Sequence, residues 1–145
     1  MAEVALDANV IVGFVDAADS QHKRALELVD RLEQDGHSLV LLDVTVFEAL
    51  SVGCRRAAER RSPGGPDLGS IIDIFRRWVT QGEIRWVATE SERLVEEILD
   101  LIESTSGALN FNDALLVALE RDGVIEHLAS FDSDFDLVEG FRRIS

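Results

Sequence analysis

Asp7, Glu48, Asp113 and Asp132 are the residues of this 145-residue chain whose type and placement can do chemistry together. Three or four carboxylates gathered at one place repel one another strongly unless a cation sits among them. An all-oxygen donor set with few protein ligands suits a hard divalent ion, Mg²⁺ or Mn²⁺, that keeps several of its waters; zinc usually recruits His or Cys. His22, His37 and His127 have no ligand-like spacing to one another or to Cys54, and they read as ordinary surface or core side chains. Each acid also has a sufficient local explanation. Asp7 is placed to cap a helix, and Glu48 stands at capping-box spacing from Thr45. Asp113 follows Asn110 as a first-turn acid follows its cap, and Asp132 lies in a polar turn, Asp132-Ser133-Asp134. What sets the four apart is the position they share in the elements of the chain.

Short apolar runs at 3–6 (EVAL), 38–42 (SLVLL), 84–87 (IRWV) and 127–131 (HLASF) predict strands, with a weaker candidate at 142–144. Between them run helical stripes: Ala25, Leu28, Val29 and Leu32; Leu68, Ile71, Ile72 and Phe75; Leu94, Val95, Ile98, Leu99 and Ile102. The segment from Ala114 to Leu119 is apolar all round, which predicts the most buried helix. Strands alternating with helices predict an α/β fold. Its central, mostly parallel sheet has four to five strands, helices on both faces, and every strand's C-terminal end along one edge. Ligands of such sheets bind at that edge. Asp7, Glu48 and Asp132 each follow a strand, and Asp113 opens the buried helix before the last strand, so all four can reach it. One loop cluster, Ser62 to Pro66, separates a helix ending in Arg60 and Arg61 from the next. With no repeats or linkers, residues 1–145 read as a single domain.

Composition narrows the setting. No apolar run approaches the roughly 20 residues needed to cross a bilayer, so the chain reads as soluble and without a membrane role. The N-terminus carries no export signal pattern and Cys54 is the only cysteine, placed as a buried thiol, which fits a reducing cytoplasm. The formal net charge of -14 should repel bare phosphate backbones overall. Lys23 is the only lysine, and acid excess with lysine scarcity fits a chain adapted to high salt or written in GC-rich codons; a basic partner is the second explanation.

With these residues in view, the chain resembles the PIN-domain family, and within it the VapC-type toxins of toxin–antitoxin pairs. Leu6-Asp7-Ala8-Asn9-Val10 resembles the family's opening aspartate motif, in which Thr or Ser is commoner than Ala8. Thr45-Val46-Phe47-Glu48-Ala49-Leu50 resembles its glutamate motif, and Asn112-Asp113-Ala114-Leu115-Leu116 its Asp-Ala segment. Ser130-Phe131-Asp132-Ser133-Asp134-Phe135 resembles the closing motif, Thr/Ser-x-Asp-x-Asp-Phe. The four come in order across the chain, and the resemblance is modest in its departures.

The resemblance implies a three-layer α/β/α PIN-like fold and a Mg²⁺- or Mn²⁺-dependent endoribonuclease that hydrolyses RNA phosphodiesters and leaves 5′-phosphate ends. Asp7, Glu48 and Asp113 would hold the main metal ion, with Asp132 completing the site or holding a second ion. Asp134 would be an auxiliary ligand, and Asn9 and Ser130 would orient the carboxylates. Arg55 and Arg56, on roughly the helix face of Glu48, are candidate RNA-phosphate guides, with a solvated or ion-paired helix face as the alternative. A VapB-like antitoxin and a homodimer are the implied partners. A non-catalytic PIN-like binding module or structural subunit is the competing reading, and the intact acid set argues against it. A receiver or haloacid-dehalogenase-type phosphatase would need a lysine late in the chain, where none stands.

Overall fold

A computed structural model describes residues 1–59 and 67–145. The predicted 62–66 loop and the paired Arg60 and Arg61 lie outside the described residues. Four parallel strands, β1 (Glu3–Leu6), β2 (Ser38–Leu42), β3 (Ile84–Arg85) and β4 (His127–Ala129), stand in the order β3-β2-β1-β4. Around them run α1 (Ala8–Val15), α2 (His22–Gln34), α3 (Asp43–Glu59), α4 (Leu68–Thr80), α5 (Glu90–Arg93), α6 (Val95–Ser104) and α7 (Phe111–Arg121). A 3-10 helix spans Ser133–Leu137. The predicted fifth strand is reduced to one parallel bridge, Ala129 to Ile144, so the sheet has four strands and a single-residue addition.

The strand period of two divides the core. Val4 and Leu6 face one side of the sheet with Val10, Ile11, Leu28, Val46 and Phe75. Ala5, Val40, Leu42 and Leu128 face the other with Ile98, Leu109 and the α7 residues Ala114 to Leu119. Helices α1 to α4 therefore cover one face and α6 and α7 the other, the three-layer α/β/α arrangement. Helix α7 is buried at every position from Ala114 to Leu119, as its unbroken apolar run requires.

Two predicted runs are shortened. The run at 84–87 pairs over only two residues, because Trp86 turns to solvent and the Val87 and Ala88 amides bond the Asp43 carboxylate. The run at 127–131 leaves the sheet after Ala129, where the Ser130 hydroxyl turns toward Asp7. Two stripes are also narrower than predicted. Leu68 at the start of α4 is exposed, and on α6 the core takes Leu94, Ile98 and Leu101 while Val95 and Leu99 face out. Leu94 closes α5 and caps α6, so the helical phase is reset there. Gly13 is required for packing: a Cβ there would stand 2.9 Å from the Ala25 Cβ, so its absence lets α1 and α2 close together. Cys54 is half-buried, less enclosed than its apolar neighbours suggest.

Candidate metal centre

Asp7 sits where β1 becomes α1. Its backbone N–H still belongs to the sheet, donating to the Ala129 carbonyl at 2.9 Å, while its extended φ and ψ make it the cap of α1. One carboxylate oxygen accepts from the Ala8 N–H at 2.7 Å. The other accepts from the Ser130 hydroxyl at 2.6 Å and from the Asn9 amide at 3.3 Å. A carboxylate offers about four acceptor directions, so about one, on the Ala8-bonded oxygen, is left for a further partner. The side chain is 5% exposed. Its burial pushes the Asp7 carboxyl up from the usual range, the Ser130 and Ala8 hydrogen bonds pull it back, and the Asp132 charge adds to the rise.

Asn9 and Ser130 form the frame around this carboxylate. The Asn9 amide nitrogen also reaches the Ser130 oxygen at 3.2 Å, and its oxygen accepts from the Phe131 N–H at 3.1 Å. The Ser130 oxygen accepts in turn from the Asp132 N–H at 3.1 Å. One buried hydroxyl thus fixes both the Asp7 carboxylate and the backbone that carries Asp132. Asp132 caps the 3-10 helix through the Asp134 N–H at 2.9 Å. Asp134 is exposed, and among the described residues its carboxylate makes no hydrogen bond or ion pair.

Glu48 lies inside α3 rather than at a capping box. The helix begins at Asp43, two residues earlier than Thr45, and the Thr45 hydroxyl donates to the Leu42 carbonyl at 3.2 Å. Glu48 is thereby released from local duty. Burial and the Asp7 charge push its carboxyl up. Asp113 is the first-turn acid of α7, its N–H held by the Asn110 side chain at 2.9 Å as the cap spacing predicted. Burial, then the Asp7, Asp132 and Glu48 charges, raise its carboxyl to about 7 against the Asn110 contact. The charges of the other three acids all reach Asp113, so they lie within electrostatic range of it.

Among the described residues, no three His, Cys, Asp or Glu side chains are drawn close enough to hold a metal ion as they stand. The carboxylates share a field without sharing a coordination sphere, as like charges held apart do. Their chemistry still fits a hard divalent ion: the donors are all oxygen, Asp7 keeps an open acceptor direction, and a cation would offset the repulsion that raises Asp113. A cleft of about 320 Å³ opens beside them, lined by Asn9, Gln21, Glu48 and Arg56. A larger groove, about 400 Å³, runs past Ile11, Phe14, Val29 and Trp78, but only Glu33 and Glu83 give it charge.

The two arginines picked for RNA part company. Arg56 borders the cleft, yet its guanidinium bonds the Asp16 and Asp19 carboxylates at 3.2 and 2.5 Å, which leaves it neutralised. Arg55 is exposed and makes no ion pair among the described residues.

Three contributors escape a reading by motif. Asp43, 2% exposed, accepts from the Val87 and Ala88 N–H groups at 2.8 and 3.1 Å, fastening β3 to the start of the helix that carries Glu48. Its position directly after a strand was a signal, shared with Asp7. Arg143 donates to both Asp136 oxygens, at 3.0 and 3.1 Å, and to the Ser130 carbonyl at 3.0 Å, clamping the segment that bears Asp132. Arg24 lies with its guanidinium carbon 4.4 Å from the centre of the Phe131 ring. No spacing rule marks either arginine.

A family profile for the PIN domain matches residues 4–140. The chain belongs to the PIN-domain family. Among solved structures, this PIN domain is similar to the Mycobacterium tuberculosis toxin VapC20, described as cleaving the sarcin-ricin loop. That match has 18% identity and a TM-score of 0.67, covering 97% of this chain and 98% of that one. It is also similar to VapBC2 from Rickettsia felis, solved bound to a DNA fragment from its promoter. There the identity is 13% and the TM-score 0.64, with 98% and 97% covered. At those identities the likeness is one of fold. No curated protein matches the chain. No helix among the described residues is long and apolar enough to cross a membrane.

Proposed function

We propose that this PIN domain is a divalent-metal-dependent endoribonuclease, the toxin of a VapBC-type pair. The observation that carries the reading is the Ser130 and Asn9 frame that fixes the Asp7 carboxylate beside the Asp132 backbone, with the Asp7, Asp132 and Glu48 charges all acting on Asp113. Asp7, Glu48 and Asp113 would hold Mg²⁺ or Mn²⁺, with Asp132 completing the set and Asp134 within reach as an auxiliary. When bound, the ion supplies positive charge against the phosphodiester oxygens and acidifies a water for in-line attack. Asn9 and Ser130 keep the Asp7 carboxylate in one orientation. The Asp113 carboxyl, pushed up to about 7, would release its proton more readily as the site fills. The Rickettsia felis neighbour is a VapBC complex, which supports a VapB-like antitoxin as the partner here. A homodimer and a cytoplasmic setting complete the proposal.

The test is incubation of the purified chain with a panel of structured RNAs, with and without Mg²⁺ or Mn²⁺, followed by mapping of product ends. Cleavage with 5′-phosphate ends, dependent on the metal, is expected. A folded chain that binds neither ion by calorimetry and cuts no RNA points instead to a non-catalytic module.

A further inference from the structure

A nuclease of net charge -14 needs local cations to hold its substrate, and most arginines near the acids are already spoken for. Arg56 is neutralised by Asp16 and Asp19, and Arg143 by Asp136. Arg24 differs. It is exposed and makes no ion pair with a carboxylate among the described residues; its seat is the face of Phe131. An aromatic face orients a guanidinium while leaving its charge and its N–H donors open to an anion.

The position of that charge is defined. Gln21, the residue before α2, lines the same cleft as Asn9 and Glu48, so the first turn of α2 borders the acids. The close approach of α1 and α2 at Gly13 and Ala25 fixes it there, as does the 2.7 Å contact of the His22 ring with the Gly13 carbonyl. Phe131 is the residue before Asp132, and its N–H is bonded to Asn9, which also holds Asp7. Arg24 is therefore mounted on the same frame as the acids. Its place on α2 is also locally unfavourable. The first turn of α2 contains no acid, and a cation there faces the positive end of the helix. An anion docking at Arg24 relieves that repulsion.

We propose that Arg24, seated on Phe131, is the RNA-phosphate contact at the rim of the acidic site, binding the backbone beside the phosphodiester to be cut. The proposal rests on the ribonuclease reading for its substrate. Lys23 supplies the control: it lies on the same turn, is likewise exposed, and pairs with Glu27 instead of an aromatic ring.

The experiment measures binding of a fluorescein-labelled single-stranded RNA by anisotropy across a salt series, and steady-state cleavage with Mn²⁺, for wild type, Arg24→Ala, Arg24→Lys and Lys23→Ala. Arg24→Ala should weaken binding and raise KM about tenfold, with kcat changed less than about twofold. It should also lower the salt slope of log K by about 0.7, the value for one phosphate contact on a single strand. Arg24→Lys should restore the slope and part of the KM, and Lys23→Ala should match wild type. Equal losses in Arg24→Ala and Lys23→Ala overturn the assignment in favour of bulk charge, and an unchanged slope in Arg24→Ala overturns it outright. If wild type binds RNA without cutting it, the nuclease reading fails while the slope still decides Arg24. If wild type does not bind RNA at all, both fail.

Discussion

The Ser130 hydroxyl donates to the Asp7 carboxylate at 2.6 Å and accepts the Asp132 N–H at 3.1 Å, so one buried oxygen sets the positions of two acids from opposite ends of the chain. Replacing Ser130 with Ala leaves Asp7 short of its strongest donor and frees the Asp132 backbone. Partners of metal-binding carboxylates typically account for about 10- to 100-fold in metal affinity or activity. Ser130→Ala should weaken Mn²⁺ binding by calorimetry within that range while circular dichroism keeps its wild-type form. Unaltered affinity would remove Ser130 from the site.

Asp113 stands within the field of three other acids, which predicts opposite effects on activity and stability. Asp113→Asn should lower metal-dependent RNA cleavage by roughly 10²–10³-fold, the loss typical of removing one charge-stabilising group. The same change relieves repulsion, so the metal-free melting temperature should rise by a few degrees, about the gain available when a strained functional site is neutralised. A lower melting temperature in EDTA would contradict the repulsive cluster.

The pH dependence follows with a definite sign. The folded chain raises Asp113 from 3.8 to about 7, and Asp7 and Glu48 move in the same direction. Folding therefore binds protons in this window, and the stability it gains is full below about pH 4 and lost as pH rises through 7. Glu3, Asp67 and Asp122 are shifted the other way, so their contribution disappears only in stronger acid. Melting temperature in EDTA should fall steadily from pH 5 to pH 8, and Mn²⁺ should flatten the fall. A wild-type profile in EDTA that is already flat is the contrary result.

Asp43 holds the Val87 and Ala88 N–H groups, which have no other acceptor among the described residues. Asp43→Ala would leave the buried Val87 N–H unsatisfied, at a cost of about 1–3 kcal/mol, while the Ala88 N–H lies where water can reach it. At about 2–4 °C per kcal/mol for a chain of this size, the melting temperature should drop by several degrees. Asp43→Asn, which keeps one acceptor oxygen, should lose less. Equal melting temperatures for Ala and wild type would show that the Val87 turn is not held this way.

The strands at 3–6 and 38–42 were legible to the residue because their apolar runs end where polar turn residues begin. Helix α7 was legible for the same reason, having no polar face to assign. The true start of α3 was not: Asp43 draws its bonds from the end of β3, over forty residues away, so a local rule preferred Thr45 as the cap. Asp7 and Asp132 follow strands and Asp113 opens a helix, as the apolar runs predicted, whereas Glu48 lies a turn and a half inside α3. The fate of Arg56 was hidden, since Asp16 and Asp19 reach it from a different element. Arg24 was hidden too, because an aromatic partner 107 positions further on leaves no trace in spacing. Local chemistry marks ligands; cations are sorted by tertiary neighbours.

The pairing of β1 with β4 joins Val4 to His127 and Ala5 to Leu128, so the sheet edge closes only when the last strand docks beside the first. Joining strands so far apart in sequence carries a loop-closure cost, and local opening at β4 would separate Ser130 and Asp132 from Asp7 at a stroke. On the proposed reading, docking of β4 and assembly of the acids are one event, so a chain opened at β4 would hold no site to fill.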